Sequence, residues 1–255
     1  MSDRLSRSRL APAAAGLAAV GLGLAAAEIM IRADWINRFI VPPPSEVARG
    51  ISRIVLEEHI GHRFLLTAGE CLAAGLMITV LGVAAGVLIH RFRLLRQATE
   101  TWIAAWAAAP VVLAYPLFMV IFGRNAWTII MIGFVAALPP VILKTIEGLS
   151  TTRKVLVDVG RSFNLTGTQQ FWKILFPAAL PTIFVGVRLG LIFALINIVG
   201  VEFLINSGGL GQLINDLAER YDLAGTYAAI FFVVLVSVAF FMTLERIERW
   251  LRPID

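Results

Sequence analysis

Residues 64–93 read FLLTAGECLAAGLMITVLGVAAGVLIHRFR. From Phe64 to Ile89 the run is dominated by apolar and small residues, and it stops at His90-Arg91-Phe92-Arg93, with Arg96 close behind. A helix needs about 20 such residues to cross the hydrocarbon of a bilayer. Arginines clustered at one end mark the cytoplasmic side. This stretch is therefore expected to span the membrane and to exit on the inside.

Working outward from it gives five more spans. The first apolar run, Ala11 to Ala27, follows Arg4, Arg7 and Arg9 and resumes after Glu28 with Ile29, Met30 and Ile31. It reads as a first transmembrane helix or as a signal peptide cut after the Ala25-Ala26-Ala27 tail; the resumed length favours a retained helix. A third span is expected from Ile103 to Phe122, interrupted by Pro110 and Pro116, and a fourth from Ala126 to Leu143, kinked at Pro139-Pro140. A fifth covers Leu180 to Ile205 and a sixth Tyr227 to Leu244. The fold class is all-α, a polytopic membrane protein with about six transmembrane helices.

Composition agrees. The chain is 58% hydrophobic and 15% charged, with a mean hydropathy of +0.82, where a soluble domain carries roughly 25% charged residues. A net charge of +5 and a pI near 10.0 invite a nucleic-acid reading. The basic residues instead flank apolar runs, and no basic patch interleaves with aromatics, so no nucleic-acid partner is expected. The single cysteine, Cys71, excludes an intrachain disulfide. His59 and His62 share helical spacing, but a set of Asp, Glu and His ligands around them is not evident, so no metal site is expected.

Two regions are expected. Residues 1–63 hold the first helix and an outer amphipathic segment. In Val41-Pro42-Pro43-Pro44-Ser45-Glu46-Val47 the prolines forbid helix, after which Ser45 and Glu46 start a capped helix bearing Val47, Ile51, Ile54 and Val55. Residues 64–255 hold the other five spans and a long inner loop, 147–177. The inner segments carry Arg4, Arg7, Arg9, Arg91, Arg93, Arg96, Lys144, Arg153, Lys154, Arg161, Lys173, Arg246, Arg249 and Arg252, which places both termini in the cytoplasm. Gly82 with Gly86, and Gly186 with Gly190, form two GxxxG pairs suited to close helix approach, within the chain rather than between subunits.

The inner loop carries the most specific pattern. Asp158-Val159-Gly160 is followed by three residues and Asn164, then by nine residues and Ile174-Leu175-Phe176-Pro177. This spacing resembles the Glu-Ala-Ala motif of binding-protein-dependent permeases, the membrane subunits of type I ATP-binding-cassette importers. The likeness is nearest to the nitrate, sulfonate and taurine branch. Ile174 and Pro177 match the motif by identity; Asp158 keeps the acid, and Asn164 stands where the family has glycine. Asn is the next most tolerant residue for positive φ. Thr166 or Thr168 can cap a second short helix, and Leu165, Gly167, Phe171 and Trp172 complete the expected contact with an ATPase. The Pro-Ser-Glu-Val segment and Glu202 with Gly209-Leu210-Gly211 extend the likeness.

The resemblance implies a permease subunit of an importer that forms the path for a small solute delivered by a binding protein, with small organic or inorganic anions as the implied class and neutral heterocycles also carried by relatives. Its implied partners are ATPase subunits, a second permease subunit, expected to be an identical copy, and a periplasmic or lipid-anchored solute-binding protein, all at the bacterial plasma (inner) membrane among its lipids. ATP and Mg would be bound by the ATPase, with no cofactor held here; no G-x-x-x-x-G-K-[ST] loop occurs. An ion- or proton-coupled secondary transporter is the alternative, and it expects mid-membrane ionisable groups and an internal repeat. No such repeat is evident, nor is the G-x-S-x-G elbow of a serine hydrolase. Arg188, two turns into the fifth span, is expected to be structural or gating rather than a substrate ligand. Glu202 is expected to have its charge held by amides and hydroxyls of the glycine-rich turn after it, either as an outer gate or as a staple of that turn.

Overall fold

The structure is a computed structural model that describes residues 2–251; Arg252 lies outside the described residues. Every regular element among them is helical. Two compact units form, one from the residues up to Ile60 together with Leu213–Phe232, the other from Gly61–Gln212 together with the residues from Val233 on. Leu213–Phe232 thus groups with the N-terminal segment.

In the first unit, α1 (Ser2–Arg32) is followed by α2 (Pro44–Glu57). Pro43 is the N-cap and Pro44 stands in the first turn, where its missing N–H costs nothing. Ser45 does not cap α2, as the sequence suggested. Its amide and its hydroxyl instead donate to Glu28 of α1, at 3.0 and 2.7 Å, which fastens the two helices together. Gly50 lets α2 approach the later chain: a Cβ there would stand 2.8 Å from the Ala224 carbonyl oxygen. Two ion pairs, Arg53 with Asp222 and Arg220 with Glu58 at 2.8 Å, tie α2 and its end to the 220–222 turn.

The second unit is built around one helix. Its members are α3 (Ile60–Arg91), α4 (Arg93–Ala107), α5 (Tyr115–Phe122), α6 (Ala126–Ser150), α7 (Lys154–Ser162), α8 (Gly167–Ile205), the start of α9 (Gly209–Glu219) and most of α10 (Leu223–Leu251). Asn125 caps α6 by accepting from the Trp127 amide at 2.9 Å. Lipid offers no hydrophobic drive for helix association, so close packing must supply it. Both GxxxG pairs supply it to α6. Added Cβ atoms would meet Val141 at Gly82, Thr145 at Gly86, Lys144 at Gly186 and the Ala137 carbonyl at Gly190. Between these contacts Ile129, Ile132, Val141, Ile146, Ile78 and Ile198 are sealed from solvent.

Five helices are long and apolar enough to cross a membrane: Ala14–Arg32, Ile60–Arg91, Ala126–Ser150, Gly167–Ile205 and Leu223–Arg249. Arg93–Ala107 with Val111–Phe122 makes a sixth if counted as one, but it is bent by 87°. The third span, expected from Ile103 to Phe122 with interruptions at Pro110 and Pro116, is broken at Pro110, while helix runs through Pro116. Pro110 donates no hydrogen bond and disfavours helix in the residue before it, so the helix stops at Ala107 and restarts at Val111. Pro139-Pro140 has the smaller effect, since α6 continues through both to Ser150. That run carries helix about one turn into the inner loop expected over 147–177.

Candidate functional site

Two assemblies in the second unit gather the residues singled out in the sequence. The first is a short helical hairpin. α7 ends at Ser162, and Asn164 turns the chain with φ of 51°. The Leu165 amide donates back to the Gly160 carbonyl at 3.1 Å. Thr166 then caps α8 in a reciprocal box, its hydroxyl accepting from the Gln169 amide while the Gln169 side chain accepts from the Thr166 amide.

Gly160 is the contact point of the hairpin. It is buried, and a Cβ there would stand 2.6 Å from Ile174 Cδ1, with Gln170 alongside donating to the Val157 carbonyl at 2.8 Å. A π-turn over Phe171–Leu175 precedes Phe176 and Pro177, where α-helix resumes. Phe171, Trp172 and Phe176 pack with ring centroids 5.1 to 5.8 Å apart. The outer surface of the hairpin is apolar: Val155, Leu156, Val159, Phe163 and Trp172 are all exposed. Asp158 is exposed beside Arg161, and Gly167 faces open space.

The second assembly closes the far end of α8. Asn206 ends that helix in the left-handed region at φ 47°, and Gly208 and Gly209 continue with φ of 103° and 86°. The turn folds back over Glu202, which is fully buried. Thr67 of α3 donates to one carboxylate oxygen at 2.6 Å, and the Gly211 amide donates to the other at 2.8 Å. Thr67 in turn accepts from the Leu210 amide at 2.9 Å. A side chain at Gly209 would collide with the Glu202 carboxylate, and one at Gly211 with the Val199 carbonyl of α8. Glu202, Gly209 and Gly211 are thus one unit.

Arg188 is not part of it. It lies 14 residues earlier on α8, about 21 Å along the axis, where it pairs with Glu248 of α10 and sits 5.6 Å from the centre of the Phe241 ring. Sequence reasoning passed over both Glu248 and Glu70, the latter buried one turn beyond Thr67 and hydrogen-bonded to Glu202. The signal for Glu70 was present as a lone carboxylate inside an apolar run.

A bundle of apolar helices, with an exposed apolar hairpin at one end of α8 and a closed polar turn at the other, is the architecture of a polytopic helical membrane protein. A model of the family of binding-protein-dependent transport system inner membrane components matches residues 78–253. The chain belongs to that family and is a permease subunit of an ATP-binding-cassette importer. It is 24% identical to the formylaminopyrimidine transport permease protein ThiX of Halalkalibacterium halodurans, over 84% of this chain and 86% of that one. It is 21% identical to the taurine transport system permease protein TauC of Escherichia coli, over 86% and 81%. Its fold resembles a chain from inward-facing conformations of the MetNI methionine ABC transporter, with a TM-score of 0.67 and 20% identity, covering 76% of this chain and 96% of that one.

Proposed function

We propose that two copies of this chain surround the translocation path in the bacterial inner membrane, with both termini in the cytoplasm. Separate ATPase subunits dock on the hairpin of residues 154–176 and hold the ATP and Mg, while this chain binds no cofactor. A periplasmic or lipid-anchored binding protein delivers a small solute to the outer face, where the turn around Glu202, Gly209 and Gly211 acts as the gate. Arg188 serves structure, not solute recognition.

The observation that carries this reading is the apolar surface of the hairpin. Val155, Leu156, Val159, Phe163 and Trp172 are exposed on two short helices whose turn is fixed by Asn164 and the Thr166–Gln169 box. Apolar side chains held out on a rigid polar segment suit insertion into a groove of another protein. A single cysteine at Leu165, in a Cys71→Ala background, is expected to crosslink to the copurifying ATPase. Crosslinking only to lipid or to outer proteins would overturn the docking assignment.

A further inference from the structure

Glu70 and Glu202 bring two carboxyl groups into hydrogen-bond contact between α3 and α8. Both are buried, Glu70 at 8% exposure and Glu202 at 0%. Two ionised carboxylates have only lone pairs to offer one another, so the contact requires a proton. The neighbours show which group carries it. One Glu202 oxygen accepts from the Thr67 hydroxyl and the other from the Gly211 amide. The single hydroxyl proton of Thr67 goes to Glu202 at 2.6 Å rather than to the Arg63 carbonyl at 3.3 Å, while its oxygen accepts from the Leu210 amide. Glu202 is therefore an acceptor at both oxygens, and the donor is Glu70.

The remaining Glu70 oxygen supports this. Oε2 is buried with no hydrogen-bond partner. An orphaned carbonyl of a neutral acid is far cheaper to bury than an orphaned carboxylate oxygen. The Cys71 thiol, also on α3, faces the pair, and Arg63 stands one turn before Thr67 on the same helix. An apolar cavity of about 580 Å³ borders the cluster at Thr67, Cys71 and Leu210. Residues 209–212 and 236–244, which lie beside that cavity on α9 and α10, contain no ionisable side chain.

We propose that Glu70 is a buried proton-binding site, and that its one proton, donated to Glu202, keeps the turn of residues 206–211 closed on α3 and α8. Loss of the proton sets two like charges in contact inside a dry environment. Glu202 then gives up the Thr67 and Gly211 clasp, and the start of α9 lifts. The site stands independently of what the protein transports.

Infrared spectroscopy of the purified full-length protein tests it. At neutral pH the spectrum should contain the C=O band of a protonated carboxylic acid, shifted in heavy water and absent from Glu70→Gln. That variant should keep the wild-type fold, since its amide N–H donates to Glu202 in place of the acid. Hydrogen exchange provides a test without any variant. In the wild type the Leu210 and Gly211 amides, corrected for intrinsic rates, should exchange about tenfold faster once the acid band is titrated away, as expected for loss of about one net hydrogen bond. Wild-type and Glu70→Gln spectra that do not differ in the acid region would overturn the proposal. So would amides whose protection does not follow the band.

Discussion

Arg188 and Glu248 form an ion pair that bridges α8 and α10, with side-chain exposures of only 19% and 4%. A charge in such a place is tolerated because its partner is there. Removing one member strands the other, at a cost of about 3–5 kcal/mol, whereas replacing both with apolar groups is close to neutral. Arg188→Gln should therefore lower the melting temperature of the detergent-solubilised protein, and Arg188→Leu combined with Glu248→Leu should restore most of the loss. A Gln variant that melts normally but changes solute selection would instead place Arg188 in the path.

The glycines against α6 offer a packing test. A Cβ at Gly86 would stand 2.5 Å from Thr145 Cβ and 3.0 Å from the Ile142 carbonyl oxygen. Backbone cannot rotate away as a side-chain tip can, so Gly86→Val should overpack the α3–α6 contact by about 1–3 kcal/mol. Gly23→Val in α1, where an added Cβ meets nothing within 4 Å, is the control and should leave the melting temperature unchanged.

Two glycines near the candidate sites should respond in opposite ways. Gly209 has φ of 86°, and its missing side chain is replaced by the Glu202 carboxylate. Gly209→Ala is strained in both respects and should cost more than the 1 kcal/mol or so expected of backbone alone. Gly167 starts α8 in open space. Gly167→Ala should be neutral or slightly stabilising, because alanine favours helix. Chemical or thermal unfolding of the two variants side by side checks the contrast.

The Arg53–Asp222 pair gives a pH signature. Burial raises the Asp222 carboxyl, but the Arg53 hydrogen bond and the Gly225 amide outweigh it and hold it below the ordinary aspartate value. Arg53 is raised in turn, mainly by the same hydrogen bond. A group lowered in the folded state stabilises it fully above its unfolded value, and that contribution fades as pH falls through the folded one. Wild-type melting temperature should thus drop on acidification below the ordinary aspartate range. Asp222→Asn, which retains an oxygen to accept from Gly225, should start lower and lose less.

The long spans and the short helical hairpin were legible because they rest on local signals: uncharged length, arginine flanks, and turn residues at fixed offsets. Asn164 at positive φ and the Thr166 cap are of this kind. Two features were not legible. The 87° break at Pro110 and the unbroken passage through Pro139-Pro140 share one local chemistry, and the surrounding packing decides between them. Likewise the partners of Glu202 and Arg188 are Thr67, Glu70 and Glu248, set 135, 132 and 60 positions away. Only the fold brings such residues together.

The central claim is that the exposed apolar hairpin couples this permease to an ATPase. Its most direct measurement is solute-stimulated ATP hydrolysis and solute uptake by the whole assembly reconstituted in vesicles, comparing wild type with Trp172→Ala. The account predicts that the variant inserts and assembles, keeps basal hydrolysis, and loses both uptake and stimulation. Wild-type uptake in a variant lacking both Trp172 and Phe163 side chains would contradict it.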